Sequence, residues 1–283
     1  SLIFLIGIFT LGIIGPIFLK EPQIALTQKY QPPVGFSVPQ SYPIQCMGEV
    51  SNGMCHGSWQ HPLGTTGNGK DILTLVIYGM QVSAKIGLIP SLIVMVIGSF
   101  VGTISAYSGG FVDEILMRYV DVQQVFPTFI LFLLIVYIYG GSLFLFVLIF
   151  GLFTWGGNAR YVRSNALQKT EEEYIKASDI SGASTLYTIR RHLIPNTASS
   201  IITDLTLLVP AFILFEAQLA FLGLGDSAVP SWGQVIAAGR GDITFAWWIS
   251  TLPGVFLFLT ILAFNFLGDA LLDALNPQAD TET

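Results

Sequence analysis

Residues 122–159 read VQQVFPTFILFLLIVYIYGGSLFLFVLIFGLFTWGGNA, without one charged side chain. A bilayer core about 30 Å thick is crossed by about 20 mostly apolar residues in a helix. The run is therefore too long for one helix and suits two. Gly140, Gly141 and Ser142 interrupt it, which predicts two helices in a tight hairpin. Working outward, residues 2–19, 86–107, 205–224 and 243–268 are further apolar runs, the third of them broken only by Glu216. All are continuous rather than alternating, so a β-barrel fits poorly. The expected fold class is all-α, a polytopic membrane protein with six transmembrane helices. Pro127, Pro210 and Pro253 fall inside these runs as packing kinks or hinges. The chain starts at Ser1 inside an apolar run, without Met or a basic leader, so a short N-terminal tail is expected before it.

Composition excludes the soluble classes. Hydrophobic residues make up 52% of the 283 and charged residues 11%, against about 25% charged in an ordinary soluble domain. Mean hydropathy is +0.67. So much apolar surface excludes disorder as well. Twelve Lys+Arg against eighteen Asp+Glu leave a net charge of −6 and no basic stripe, which argues against nucleic acid as a partner.

Lys and Arg in short loops orient the spans. Arg118 lies in the loop 108–121, and Arg160, Arg163, Lys169, Lys176, Arg190 and Arg191 in the loop 160–199. Six spans place these two loops on one side, whereas the loop 225–242 on the other side carries only Arg240. Both termini and the 160–199 loop are thus expected in the cytoplasm of a multi-pass cell-membrane protein. The organisation is a first transmembrane helix at 1–19, an outer loop and pre-helix segment at 20–85, a core of five transmembrane helices at 86–275, and a cytoplasmic tail at 276–283. The stretch 20–60, rich in Pro, Gln, Ser and Gly, is expected to be an irregular loop. Cys46 and Cys55 lie in it, on the oxidising side, where a disulfide clip is permitted. Two free thiols, or a metal pair helped by His56 and His61, are the alternatives.

The 160–199 loop is patterned. Thr170 with Glu173 reads as a capping box opening a helix, with Glu171–Glu173 at its positive end. Gly182 can take a left-handed C-cap, and Ser184 can cap a second short helix. Leu186, Ile189 and Leu193 fall on one face of that helix, Arg190 and Arg191 on the other, and Pro195 is expected to stop it. Such an amphipathic element lies on a lipid surface or fits a groove on a partner.

At this loop the chain resembles the permease subunits of binding-protein-dependent ABC importers. Their motif is Glu-Ala-Ala, three residues, Gly, nine residues, Ile, one residue, Leu-Pro. Here the same spacing holds Lys176-Ala177-Ser178, Gly182, His192, Ile194 and Pro195. Lys176 and Ser178 depart from the motif, as do His192 and Ile194, while the glycine and proline that shape the backbone are kept. Further stretches resemble the dipeptide/oligopeptide/nickel branch and its second permease type. They are His61-Pro62-Leu63-Gly64-Thr65 with Gly69-Lys70-Asp71; Gly109-Gly110 with Asp113, Arg118 and Asp121; Arg160 to Arg163; Glu216-Ala217 through Gly225; Pro230-Ser231-Trp232-Gly233; and Asn276-Pro277.

The resemblance implies a coupling-helix loop that docks on a cytosolic ATPase. Glu173, Lys176, Ala177, Ser178, Gly182, Ala183, Leu186, Ile189, His192 and Pro195 are its ATPase-coupling residues. The implied partners are a second homologous permease subunit, two cytoplasmic ATP-binding-cassette subunits and an extracytoplasmic substrate-binding protein, all around a lipid bilayer. The implied cargo is di- and oligopeptides, with nickel or another small solute as the alternative.

Glu216, the one acidic side chain deep in a span, is either a translocation-path residue or a structural hydrogen-bond partner. Gly64, Gly67 and Gly69 do not form a phosphate loop, since Lys70 is followed by Asp71. No cofactor is therefore expected on this chain, ATP being bound by partners. His56, His61 and His192 are the three histidines and fit no hydrolase or metalloprotease motif, so no catalytic residue is assigned and an enzyme is not expected. An autonomous secondary transporter is the rival from another class. It would need paired charges or broken helices at the membrane midplane, and only Glu216 offers itself.

Overall fold

A computed structural model describes residues 2–19, 21–24, 28–42, 46 and 50–275. The expected tail at 276–283, with Asn276-Pro277, lies outside the described residues, as does Lys20. The chain is predominantly helical. In order the elements are α1 (Leu2–Phe18), three short strands β1 (Ser37–Pro39), β2 (Val50–Ser51) and β3 (Met54–His56), then α2 (Ile72–Ser108), α3 (Gly110–Val125), α4 (Thr128–Tyr139), α5 (Leu143–Phe153), α6 (Trp155–Thr170), α7 (Glu173–Ile180), α8 (Thr185–Thr188), α9 (Ile194–Leu219), α10 (Trp232–Ala238) and α11 (Trp248–Leu275). Wide π turns at Ile189–Leu193 and Ala220–Leu224 flank α9.

Four helical stretches are long and apolar enough to cross a membrane: Ile72–Ser108, Leu143–Thr170, Thr185–Leu224 and Trp248–Leu275. The pair α3 and α4, bent by 69°, makes a fifth if counted together, and α1 is a shorter apolar helix.

Several boundaries differ from expectation for identifiable reasons. The second span begins at Ile72 rather than at residue 86, because Asp71 caps it: its Oδ1 accepts from the Thr74 N–H at 2.7 Å. At 1.5 Å per residue α2 is about 55 Å long, well beyond a bilayer core. The run 122–159 breaks sharply twice, with a lesser interruption at Thr154 between α5 and α6, which continue as one stretch. Gly140, at φ 82°, makes the expected hairpin. Phe126, forced to extended geometry (φ −74°, ψ 130°) ahead of Pro127, ends α3 and starts α4 at a new angle.

The stretch 20–60 is not wholly irregular. β1, β3 and β2 form an antiparallel sheet in that order, with Val38 opposite Cys55, and strands this short leave no periodic signal. Cys46 and Cys55 are joined by a disulfide with an S–S distance of 2.02 Å.

Two compact units emerge. The first takes the chain up to Ile86, Tyr139–Leu143 and Ile213–Ala263. Its core gathers Ile8, Ile72, Val76, Met80, Trp232, Val235, Trp248 and Ile249. A buried indole N–H needs a partner. Here Trp232 Nε1 donates to the Val76 carbonyl at 2.9 Å, and Trp248 Nε1 to that of Thr65 at 3.1 Å.

The second unit takes Gly87–Ile138, Phe144–Phe212 and the chain from Phe264 on. Phe150 centres its aromatic core, with ring centroids 5.2 Å from both Phe132 and Phe212. Gly98 and Gly102, four apart on α2, let α6 approach closely. A Cβ on Gly98 would strike Asn158, and one on Gly102 would sit 2.5 Å from the Ala159 carbonyl oxygen.

Gly102→Leu is expected to cost at least about 1–3 kcal/mol through overpacking. It should lower the thermal midpoint of the detergent-solubilised protein. Gly157→Ala, whose added methyl would meet only the Gln124 amide at 3.5 Å, should leave that midpoint unchanged or higher.

Candidate functional site: the surface elbow between α6 and α9

The expected capping box does not form. α6 runs through Thr170, whose hydroxyl donates back to the Leu167 carbonyl at 2.8 Å. The chain then turns through Glu171 and Glu172, and the Glu172 carbonyl accepts from both Ile175 and Lys176 to start α7. At its far end α7 closes as the sequence predicts. Gly182 is left-handed at φ 75°. The Ala183 N–H reaches back to the Ser178 carbonyl at 3.2 Å, the six-to-one bond of a Schellman cap. Ser184 then caps α8 by accepting from the Tyr187 N–H at 3.3 Å.

Pro195 does not stop the second helix. The chain runs on through a π turn in which the Ile194 N–H bonds to the Ile189 carbonyl, five residues back, and then into α9. The widened turn accommodates a residue that has no N–H to give to Arg191. Asn196 and Thr197 donate their side chains to the carbonyls of His192 (2.6 Å) and Leu193 (2.9 Å).

The elbow has a buried base and an exposed tip. Ile189, Leu193 and Ala166 pack with Ala106 in one small core, and Ile175 is buried too. Ser178 and Thr188 share a hydroxyl–hydroxyl bond of 3.1 Å between α7 and α8. His192 lies between the rings of Tyr187 and Tyr174, at 5.8 and 6.3 Å. Burial, then the nearby Glu172 charge, holds the Tyr174 hydroxyl above its usual pKa.

Of the residues singled out from sequence, Ile189 faces inward, Ser178, Ala183 and His192 are half-buried, and Glu173, Lys176, Ala177, Gly182, Leu186 and Pro195 are exposed. Leu186, expected on the apolar face with Ile189 and Leu193, instead points outward at 60% exposure. It shares the surface with Ile180 (88%) and Tyr187 (53%). Arg190 and Arg191, a few residues on, are exposed as well, and Lys176 pairs with Glu171 at 3.1 Å. Exposed apolar side chains in a short charged segment suit a protein-docking surface.

One ion pair behind the elbow escaped the sequence reading. Arg163 on α6 makes a two-pronged bond to Asp113 on α3, at 2.6 and 2.5 Å, and Ser105 at the end of α2 donates to the same carboxylate. Arg160 pairs with Asp121 at 2.5 Å. All four charges were visible in the sequence, but partners 50 and 39 positions apart carry no local signal.

Glu216 lies elsewhere, in the first unit. It is 2% exposed, and Ser231, at the start of α10, donates to its carboxylate. A Cβ on Gly233 would strike the Ala217 carbonyl, so α10 sits tightly on this part of α9.

A family profile described as "Binding-protein-dependent transport system inner membrane component" matches residues 89–281. The chain belongs to this family. The oligopeptide transport system permease protein OppC of Haemophilus influenzae is 35% identical over 219 residues, covering 77% of this chain and 70% of that protein. The dipeptide transport system permease protein DppC of Bacillus subtilis is 35% identical over 283 residues, covering 98% and 81%. Among solved structures, a chain of the inward-facing MetNI methionine ABC transporter superposes with a TM-score of 0.60 at 19% identity, covering 72% of this chain and 97% of that one. At that identity it shows the fold alone. Membership makes this chain a multi-pass inner-membrane component whose relatives are permeases rather than enzymes, and the family description itself ties it to a binding protein.

The Asp113–Arg163 pair in this permease is half-buried, with side-chain exposures of 20% and 27%. A double-mutant cycle of Asp113→Asn and Arg163→Gln, read by thermal unfolding, is expected to give a coupling of about 1–2 kcal/mol.

Proposed function

We propose that this protein is a permease subunit of an ATP-driven importer, forming half of a translocation path for di- and oligopeptides. The elbow around Gly182 is the docking point for a cytoplasmic ATPase. A second homologous permease completes the path, two ATP-binding-cassette subunits drive it, and an extracytoplasmic binding protein delivers cargo to the outer loops. Six spans follow if α1, α2, the bent pair α3–α4, the joined α5–α6, α9 and α11 are each counted once, with both termini and the elbow in the cytoplasm. The peptide cargo is favoured over nickel by the peptide-permease relatives.

One observation carries the reading. The elbow exposes Ile180, Leu186 and Tyr187 at its tip while its base is fixed in a core of Ala106, Ala166, Ile189 and Leu193. A solitary surface helix has no need of such exposure, whereas a lever gripped by a partner does. Closure of the ATPases would move the tip, and the continuous run from α8 through α9 would carry that movement into the spans as a rigid body. A secondary transporter is disfavoured because Glu216, its one candidate charge in the membrane, is buried against Ser231. We assign Glu216 the structural role, clamping α10 to the end of α9.

Two variants test the coupling. Gly182→Leu forces a side chain into a left-handed backbone, at a cost of about 1–2 kcal/mol locally. It should abolish peptide uptake while the protein still inserts in the membrane. Leu186→Asp with Ile180→Asp should cut the stoichiometric co-purification of ATPase subunits at least tenfold. Normal uptake in the first, or full ATPase recovery in the second, overturns the assignment.

A further inference from the structure

The first unit holds a half-open cavity of about 410 Å3, within the size range of small-molecule sites, about 300–1,000 Å3. One wall is Tyr30 with the turn from Thr66 to Lys70, and the other is Pro230 and Gln234 with Asp242. Both segments belong to the outer face in the orientation given above.

The turn is firmly built. The Lys70 N–H donates to Thr66 Oγ1 at 3.1 Å, and the Tyr30 N–H to the Thr66 carbonyl at 3.2 Å. Gly67 keeps room for the tyrosine, since a Cβ there would sit 2.5 Å from its hydroxyl oxygen. Tyr30 packs edge-on against Phe245, with centroids 5.1 Å apart, and donates its hydroxyl to Asp242 Oδ2 at 3.1 Å. Burial first, then that bond and the Asp242 charge, raise the tyrosine pKa, so the hydroxyl stays a donor at neutral pH.

The cavity thus contains one cation and one anion that do not neutralise each other. Neither Lys70 nor Asp242 enters an ion pair among the described residues, although both line the same space. Opposite charges kept apart in a half-enclosed pocket complement a ligand that itself carries one of each. A short peptide with free ends is such a ligand, and at about 3.3–3.6 Å per residue two or three residues extend over roughly 7–11 Å.

We propose that this cavity is an outer capture site for a short peptide, with Asp242, steadied by Tyr30, receiving the terminal ammonium and Lys70 the terminal carboxylate. The proposal rests on the peptide reading above and adds a site to it. The site lies on the permease itself, apart from any binding protein.

The test uses the detergent-solubilised complex without its binding protein, in equilibrium dialysis with radiolabelled trialanine. Free trialanine should bind saturably. N-acetyl-trialanine, trialanine amide and free alanine should each bind at least tenfold more weakly. Asp242→Asn should erase the difference between free and N-acetylated peptide, and Lys70→Met that between free and amidated peptide. Tyr30→Phe, which keeps the ring, should weaken free trialanine several-fold. Absence of saturable binding to the wild-type complex, equal binding of the blocked peptides, or alanine binding as well as trialanine overturns the proposal. ATPase co-purification in the same preparation separates the two claims. Bound ATPase subunits with no recognition of peptide ends sink the capture site and leave the permease reading standing. Peptide binding without ATPase subunits does the reverse.

Discussion

The close approach of α2 and α6 at Gly98 and Gly102 governs the second unit. In an apolar setting the hydrophobic effect does little to hold helices together, so packing and polar bonds must do it. Two glycines one turn apart bring the α6 backbone against α2 at Asn158, Ala159 and Val162. That contact fixes the height and rotation of α6. It sets Arg163 opposite Asp113 and Ser105, and it delivers Ala166 to the small core that holds the elbow. Were α6 rotated, neither the ion pair nor the base of the elbow could form. The glycine contact, the charge pair and the elbow therefore form one chain of dependence along a single helix.

The first unit is organised by different means. Its core closes around two indoles whose N–H groups are spent on backbone carbonyls, Trp232 on Val76 and Trp248 on Thr65. Each bond satisfies a buried donor and also positions a segment: α10 against α2, and the start of α11 against the turn that leads into α2. Ser231 sits at the junction, giving its hydroxyl hydrogen to Glu216 and accepting from the Gln234 N–H at 3.4 Å. A carboxylate at this depth is tolerable because it has a donor, which is the general condition for burying such a group.

What the sequence disclosed, and what it hid, divides along physical lines. Long uncharged runs announced the spans because hydropathy is a local property. Gly140 and Gly182 announced their turns because only glycine takes positive φ without strain. Pro127 was legible as a kink or hinge, but the 69° bend between α3 and α4 was not, since hydropathy is blind to a missing N–H. Pro195 misled in the opposite direction: a proline is expected to end a helix, and the π turn before it removes the conflict. Helical spacing put Leu186 on one face with Ile189 and Leu193, but α8 is one turn long and the backbone widens immediately after it, so the α-helical period fails there. The Asp113–Arg163 pair, the two indole bonds and the cavity between Lys70 and Asp242 are all long-range and lay beyond any windowed reading. The Gly98–Gly102 spacing was in plain view and is the one feature that sequence pattern alone could have supplied.

A lever transmits force only if its base resists deformation and its arm is continuous with what it moves. Packed protein interiors are stiff, so a base of Ala106, Ala166, Ile189 and Leu193 with almost no exposed surface satisfies the first condition. The second explains why the unexpected continuity at Pro195 matters. Had the helix stopped there, a flexible joint would have stood between the exposed tip and α9, and displacement of Leu186 would have dissipated in it. Instead the run Thr185–Leu224 carries the helix on without a loop, the π turn supplying the extra width that proline demands and the Asn196 and Thr197 side chains bonding carbonyls beside it. Gly182 makes the turn at the exposed end of the elbow, left-handed at φ 75° and with open space where a Cβ would stand. The left-handed turn of the elbow thus lies at its exposed end, and the closely packed part lies where the chain runs on into α9.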